Sequence, residues 1–140
     1  MARIMAIDYG RKRVGVAVTD PMQIIAGGLA TVPAHEIVAF IEKYVATEPV
    51  ETIVVGLPKQ MNNQPSESMR YIQPFVATLK KKIPHIPVVF YDERFTSVLA
   101  HRAMLDGGLK KKDRQRKELV DEISATIILQ SYMDSRKFKV

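Results

Sequence analysis

The chain has 140 residues, 46% of them hydrophobic and 26% charged, with no cysteine and a formal net charge of +6. That is about the length of one compact domain, 1–140, which can bury roughly two-thirds of its unfolded surface. The composition excludes a disordered or fibrous chain, and the lack of cysteine excludes a disulfide scaffold, a thiolate zinc site and a cysteine nucleophile. The apolar run near the N-terminus is about five residues long and ends at Asp8, too short for a secretory signal. No stretch approaches the roughly 18 apolar residues that span a bilayer. The expectation is a soluble, cytoplasmic protein, monomer or homodimer, with no membrane partner. The positive charge favours a polyanion, nucleic acid first, because each phosphate contact releases condensed counterions.

Taken in chain order, Arg3 to Tyr9 reads as a strand, and a turn containing Gly10 leads into a second from Arg13 to Thr19, where Val14, Val16 and Val18 alternate with small residues. A third short strand, Leu29 to Val32, is expected after a Gly27-Gly28 turn. From His35 to Thr47 the apolar residues Ile37, Val38, Ile41, Tyr44 and Val45 recur with helical spacing. Thr52 to Val55 is a strand stopped by Gly56-Leu57-Pro58. A helix follows from Ser66 to Lys81, with Pro74 implying a kink or break. Val88 to Tyr91 reads as a buried parallel strand. Thr96 caps a helix ending near Asp106, and a last helix covers Leu119 to Ser135. A three-stranded meander continued by two right-handed crossovers predicts an α/β fold, a mixed five-stranded sheet with helices on its faces.

Three carboxylates stand where a purely structural role explains them poorly. Asp8 shares a strand face with Ile4 and Ala6, so it lies at the rim of the core. Glu93 follows Val89 and Tyr91 on one face, just past the end of its strand. Asp121 aligns with Ala125, Ile128 and Tyr132 on an otherwise apolar helix stripe. Ligands of open α/β sheets collect outside the carboxyl ends of strands, and repelling carboxylates at a half-buried rim are costly without a cation between them. Oxygen-only ligands suit Mg²⁺, or Mn²⁺. Each acid alone has a plainer explanation: Asp8 as a turn residue, Glu93 paired with Arg94 or Arg13, Asp121 complementing a helix dipole.

Cations flank these acids: Arg11, Lys12 and Arg13 in the first hairpin, Arg94 after Glu93, and Lys110, Lys111, Lys112, Arg114, Arg116 and Lys117 before the last helix. A charge run is often only a solvated face, but beside an acidic cluster it suits gripping phosphates. Carboxylate-held metal ringed by cations suits phosphodiester hydrolysis. The histidines His35, His85 and His101 show no metal-ligand spacing, and neither a phosphate-binding lysine motif nor a serine nucleophile elbow is present. Met61 to Pro65 forms a polar loop at the same sheet edge.

The run Asp8-Tyr9-Gly10-Arg11-Lys12-Arg13-Val14-Gly15-Val16-Ala17-Val18-Thr19-Asp20 resembles the D-x-G-x-x-R-x-G-x-A-x-x-D opening of the YqgF (RuvX-like) family. Gly56-Leu57-Pro58, Asp92-Glu93-Arg94-Phe95-Thr96-Ser97, the basic run and Val120-Asp121-Glu122-Ile123-Ser124-Ala125 are similar to its further motifs, in order along nearly the whole chain. The resemblance implies an RNase H-like sheet of order 3-2-1-4-5 and Asp8, Glu93 and Asp121 as catalytic, metal-binding acids. It also implies Mg²⁺-dependent endonucleolytic hydrolysis, linked in bacteria to 5′-end maturation of pre-16S rRNA. Ser124 stands where the family has Ala, and relative to RuvC-type resolvases the helix lacks a second acid three residues after Asp121, while the strand before Gly56 carries none. Both differences weigh against the Holliday junction-resolving DNA endonuclease that is the runner-up. A non-catalytic RNA-binding ribosome assembly factor is the alternative outside enzymes. An actin-like ATPase is set aside, because such proteins enclose nucleotide between two domains.

Overall fold

The computed structural model describes residues 2–57, 69–92 and 117–137. The period-two alternation of the opening residues produces a hairpin in which β1 (Arg3–Tyr9) and β2 (Arg13–Thr19) pair antiparallel, with Ala6 opposite Ala17 and Asp8 opposite Gly15. β3 (Ala26–Pro33) continues the meander against β2. A 3-10 turn (Ala34–Glu36) enters α1 (Ile37–Thr47), followed by β4 (Val50–Leu57), α2 (Met69–Lys82), β5 (Val88–Asp92) and α3 (Lys117–Lys137). β4 runs parallel to β1 and β5 parallel to β4, which gives a mixed sheet of order 3-2-1-4-5.

Each face of the sheet has its own core. Met5, Ile7, Val14, Val16, Ile53 and Val55 meet Ile37 and Ile41 of α1 and Ile72, Phe75, Val76 and Leu79 of α2. On the other face Ile4, Ala6, Ala17 and Val54 meet Ala125, Ile128, Leu129 and Met133 of α3. Strand alternation sends odd positions of β1 to one layer and even positions to the other, and each large aliphatic side chain so buried contributes about 1.5–3 kcal/mol. Among the described residues no helix is long and apolar enough to cross a membrane.

Four expectations need correction. β4 runs through Gly56 and Leu57, and its N-terminal end carries an acid, Glu51, at the opposite end of the strand from Gly56. β3 begins at Ala26, so Gly27 and Gly28 lie inside the strand, and a register slip against Val16 and Ala17 absorbs Leu29 as a bulge. The turn is built upstream instead. The Asp20 carboxylate accepts hydrogen bonds from the backbone N–H groups of Met22 (3.0 Å), Ile24 (2.8 Å) and Ile25 (2.7 Å), and Gln23 takes a left-handed φ of 58°. Pro74 does not break α2, which is continuous across it; Pro74 lies on the exposed side, away from buried Ile72, Phe75 and Leu79. β5 is parallel as expected but is the outer strand of the sheet rather than a buried one, with Phe90 42% exposed. The expected Thr96–Asp106 helix and the Met61–Pro65 loop lie outside the described residues.

The turn at Asp20 makes stability sensitive to acid. Backbone N–H donors, that of Ile25 foremost, hold its carboxyl below the usual carboxylate range. A depressed folded-state value means a contribution present above the ordinary carboxylate range and lost as pH falls through the lower folded value. Asp20→Ala is therefore expected to lower the melting temperature at neutral pH, with the gap to the wild-type chain narrowing below about pH 4. Thermal melts at several pH values read this directly, and a gap that does not change with pH would dismiss the carboxylate as its source.

Candidate active site

Asp8 leaves the centre of the sheet at the carboxyl ends of the parallel strands. Ile7 is level with Val55 and Val55 with Phe90, which puts Asp8 at the level of Gly56 on β4 and Tyr91 on β5. Across β2 its partner is Gly15. The half-buried Asp8 carboxylate is thus flanked on both neighbouring strands by buried glycines, and no side chain from either strand fills the space beside it. Asp8 has an interaction partner within the fold.

The apolar stripes that lead toward the other two acids converge on this layer. Val89 and Tyr91 of β5, and Ala125, Ile128 and Tyr132 of α3, pack in the same cluster as Ile4 and Ala6, with the Tyr91 and Tyr132 rings edge to face at 6.2 Å. Glu93 is the second residue after Tyr91 and lies outside the described residues, as do Arg94, Lys110, Lys111, Lys112, Arg114 and Arg116. Asp121 and Lys117 belong to the N-terminal part of α3, Asp121 one turn before Ala125. Of the three acids, Asp8 is the one whose side-chain surroundings are described. No group of three metal-ligating residues occurs among the described residues.

Next to Asp8 the β1–β2 turn opens a cleft of about 550 Å³ lined by Gly10, Arg11, Lys12 and Arg13. The Lys12 carbonyl accepts a hydrogen bond from the Ala34 N–H (2.9 Å), tying this turn to the start of the helical segment. Gly10 is required by space: a Cβ there would stand 2.6 Å from the Arg13 carbonyl oxygen, closer than real contacts allow. Gly10→Ala must therefore move backbone, at a cost of about 1–3 kcal/mol. It is expected to lower the melting temperature and, if the chain binds nucleic acid as its charge favours, that affinity too, since the displaced segment carries Arg11 to Arg13. A variant with native melting temperature and native affinity for nucleic acid would show that the turn tolerates the side chain.

One feature of the site has no signal in the sequence. The Arg11 guanidinium lies 4.9 Å from the centre of the Tyr71 ring on α2, and Tyr9 stacks on Phe75 at 4.6 Å with an interplanar angle of 24°. Burial pushes the Tyr9 hydroxyl above its ordinary pKa. Only the helical spacing of Tyr71 and Phe75, four residues apart, hints at a shared face. His35 and His85 are exposed, and His35 pairs with Glu36 (3.6 Å).

A meander of three antiparallel strands, two further parallel strands, helices on both faces and an acid on the central strand define an RNase H-like domain. Among solved structures, Thermus thermophilus RuvC in complex with a Holliday junction substrate matches with a TM-score of 0.64 at 15% identity, over 99% of this chain and 97% of that one. T. thermophilus RuvC by itself matches with a TM-score of 0.55 at 15% identity, over 96% of each chain. At such identity the likeness is one of fold. The model of the RuvX family, described as Holliday junction resolvase, matches residues 2–135. A Phocaeicola vulgatus protein is 74% identical over 138 residues, 99% of each chain, and a Bacteroides thetaiotaomicron protein 67% identical over 99% of this chain and 100% of its own; both are named as candidate pre-16S rRNA nucleases. The chain belongs to the RuvX family.

Proposed function

We propose that this chain is a metal-dependent endonuclease that hydrolyses phosphodiester bonds in structured RNA, acting in 5′-end maturation of pre-16S rRNA. The names of its closely similar relatives support the substrate. The observation that carries the chemistry is the half-buried Asp8 carboxylate between Gly15 and Gly56, on the strand that leads directly into the cationic turn of Gly10 to Arg13. The donor set fits a hard divalent cation: Asp8, Glu93 and Asp121 offer only carboxylate oxygens, and the apolar residues that precede Glu93 and follow Asp121 in sequence, Val89 and Tyr91, and Ala125 and Ile128, share a cluster with Ile4 and Ala6 of the strand that bears Asp8. When bound, Mg²⁺ or Mn²⁺ supplies activation of water and neutralisation of charge on the scissile phosphate.

The protein's own residues supply the rest. Asp8 is fixed at the sheet end by its strand, so its carboxylate needs little reordering to serve as a ligand. Arg11, Lys12 and Arg13 hold backbone phosphates, and Arg94, Lys110, Lys111, Lys112, Arg114, Arg116 and Lys117, which adjoin Glu93 and Asp121 in sequence, supply further positive charge. Cleavage of precursor rRNA and of a synthetic four-way DNA junction, each with Mg²⁺ and with chelator, tests the proposal. The expected result is Mg²⁺-dependent cutting of the RNA. Cutting confined to the junction would replace it with the resolvase reading, and RNA binding without cutting by the assembly-factor reading.

A further inference from the structure

A second cleft, of about 300 Å³, opens beyond the basic turn between the end of β1, the start of α1 and α2. Its walls include Tyr9, Val38, Arg70, Tyr71, Phe75 and Thr78. The lining is dominated by aromatic and aliphatic groups, yet it lies on the outside of the molecule, with Tyr71 39% exposed and Arg70 exposed. An exposed tyrosine whose ring is covered by an arginine is a poor core element. The cation–π contact holds the Arg11 guanidinium beside the Tyr71 ring and leaves N–H groups available to the neighbouring cleft, which Arg11 also lines. Planar apolar walls with cations at the mouth match one chemistry well, a base attached to its phosphate. The volume sets the size: it is at the lower end of small-molecule pockets, room for a single base and far too little for a duplex.

We propose that this cleft receives one unpaired nucleobase of the bound strand, walled by Tyr71 and Tyr9, while Arg11 and Arg70 hold the phosphates on either side of it. The nuclease reading supplies the identity of the ligand. The cleft adds what that reading lacks, a requirement that the strand be single-stranded where it passes the α1–α2 side of the basic turn. A duplex presents phosphates to Arg11 but no free base face, whereas a frayed or looped strand presents both.

The test is binding, in chelator so that no cutting occurs, of a single-stranded RNA hexamer and of an abasic hexamer with the same number of phosphates. The wild-type chain is expected to prefer the base-bearing hexamer by about ten-fold, the scale of one base stacked on an aromatic ring. Tyr71→Ala should reduce that ratio to about one, and Tyr71→Phe should keep it, since the ring and not the hydroxyl is invoked. Thr78→Trp, made at an exposed position of the same wall, fills the cleft without touching the core and should also abolish the ratio. Equal affinity of the wild-type chain for the two hexamers, or a preference that survives both Tyr71→Ala and Thr78→Trp, overturns the proposal. Equal affinity of the wild-type chain for the two hexamers alongside intact Mg²⁺-dependent cleavage sinks this inference alone, and a clear base preference in a chain that never cuts sinks the nuclease reading alone.

Discussion

Asp8→Asn is expected to reduce metal-dependent cleavage by more than about 100-fold while leaving the fold in place. Loss of even an outer-shell partner of a metal site costs about 10–100-fold in affinity or activity, and Asp8 is proposed as a direct, charged ligand. The substitution keeps the shape and one acceptor oxygen at a half-buried position, so the β1–β2 hairpin should form as before. Melting temperature gives a readout independent of cutting. A cation that binds only the folded state stabilises it by about 2.7 kcal/mol at a hundred times its dissociation constant. Mg²⁺ or Mn²⁺ should therefore raise the melting temperature of the wild-type chain and fail to raise that of Asp8→Asn. RNA binding in chelator should persist in the variant, because the cations of the turn are untouched. Undiminished cleavage, or an undiminished rise with metal, would remove Asp8 from the site.

What the sequence made legible follows from which interactions are local. Alternation along β1 and β2 identified the hairpin and set Asp8 on the face of Ile4 and Ala6, because strand side chains repeat every two residues whatever lies around them. The same logic anticipated that Val89 and Tyr91, and Ala125, Ile128 and Tyr132, belong to stripes, and these meet in one layer. The turn before β3 was misplaced because Met22-Gln23-Ile24-Ile25 looks apolar while Gly27-Gly28 looks like a turn; the deciding term is three N–H groups gathered by one carboxylate. The outer position of β5 is a property of the strand order, which the family resemblance supplies and the apolar run by itself does not. The glycine pair around Asp8 arises from two registers, one antiparallel and one parallel, and the Arg11–Tyr71 stack joins segments far apart in sequence. Such contacts exist only once the sheet has assembled.

Leu129→Ala should be the most destabilising of these substitutions, because of how α3 sits on the sheet. Leu129 is fully buried among Ile4, Ala6, Ala17, Val54 and Ala125. The three alanines let the helix approach the strands closely, and a floor of small residues on a hydrogen-bonded sheet has little freedom to collapse into a void. Leucine-to-alanine changes at such sites cost about 2–5 kcal/mol, a large share of the roughly 5–15 kcal/mol that holds a domain folded. A fall in melting temperature of about 10 °C is expected for a chain of this size. Leu129→Met, which conserves volume, should cost less than about 1.5 kcal/mol. The effect should also reach the chemistry. Asp121 stands two turns before Leu129 on the same helix, so a loosened seat raises the Mg²⁺ concentration needed for cleavage even at temperatures where the variant is fully folded. A variant that melts lower but cleaves with an unchanged Mg²⁺ requirement would separate α3, and with it Asp121, from the proposed metal site.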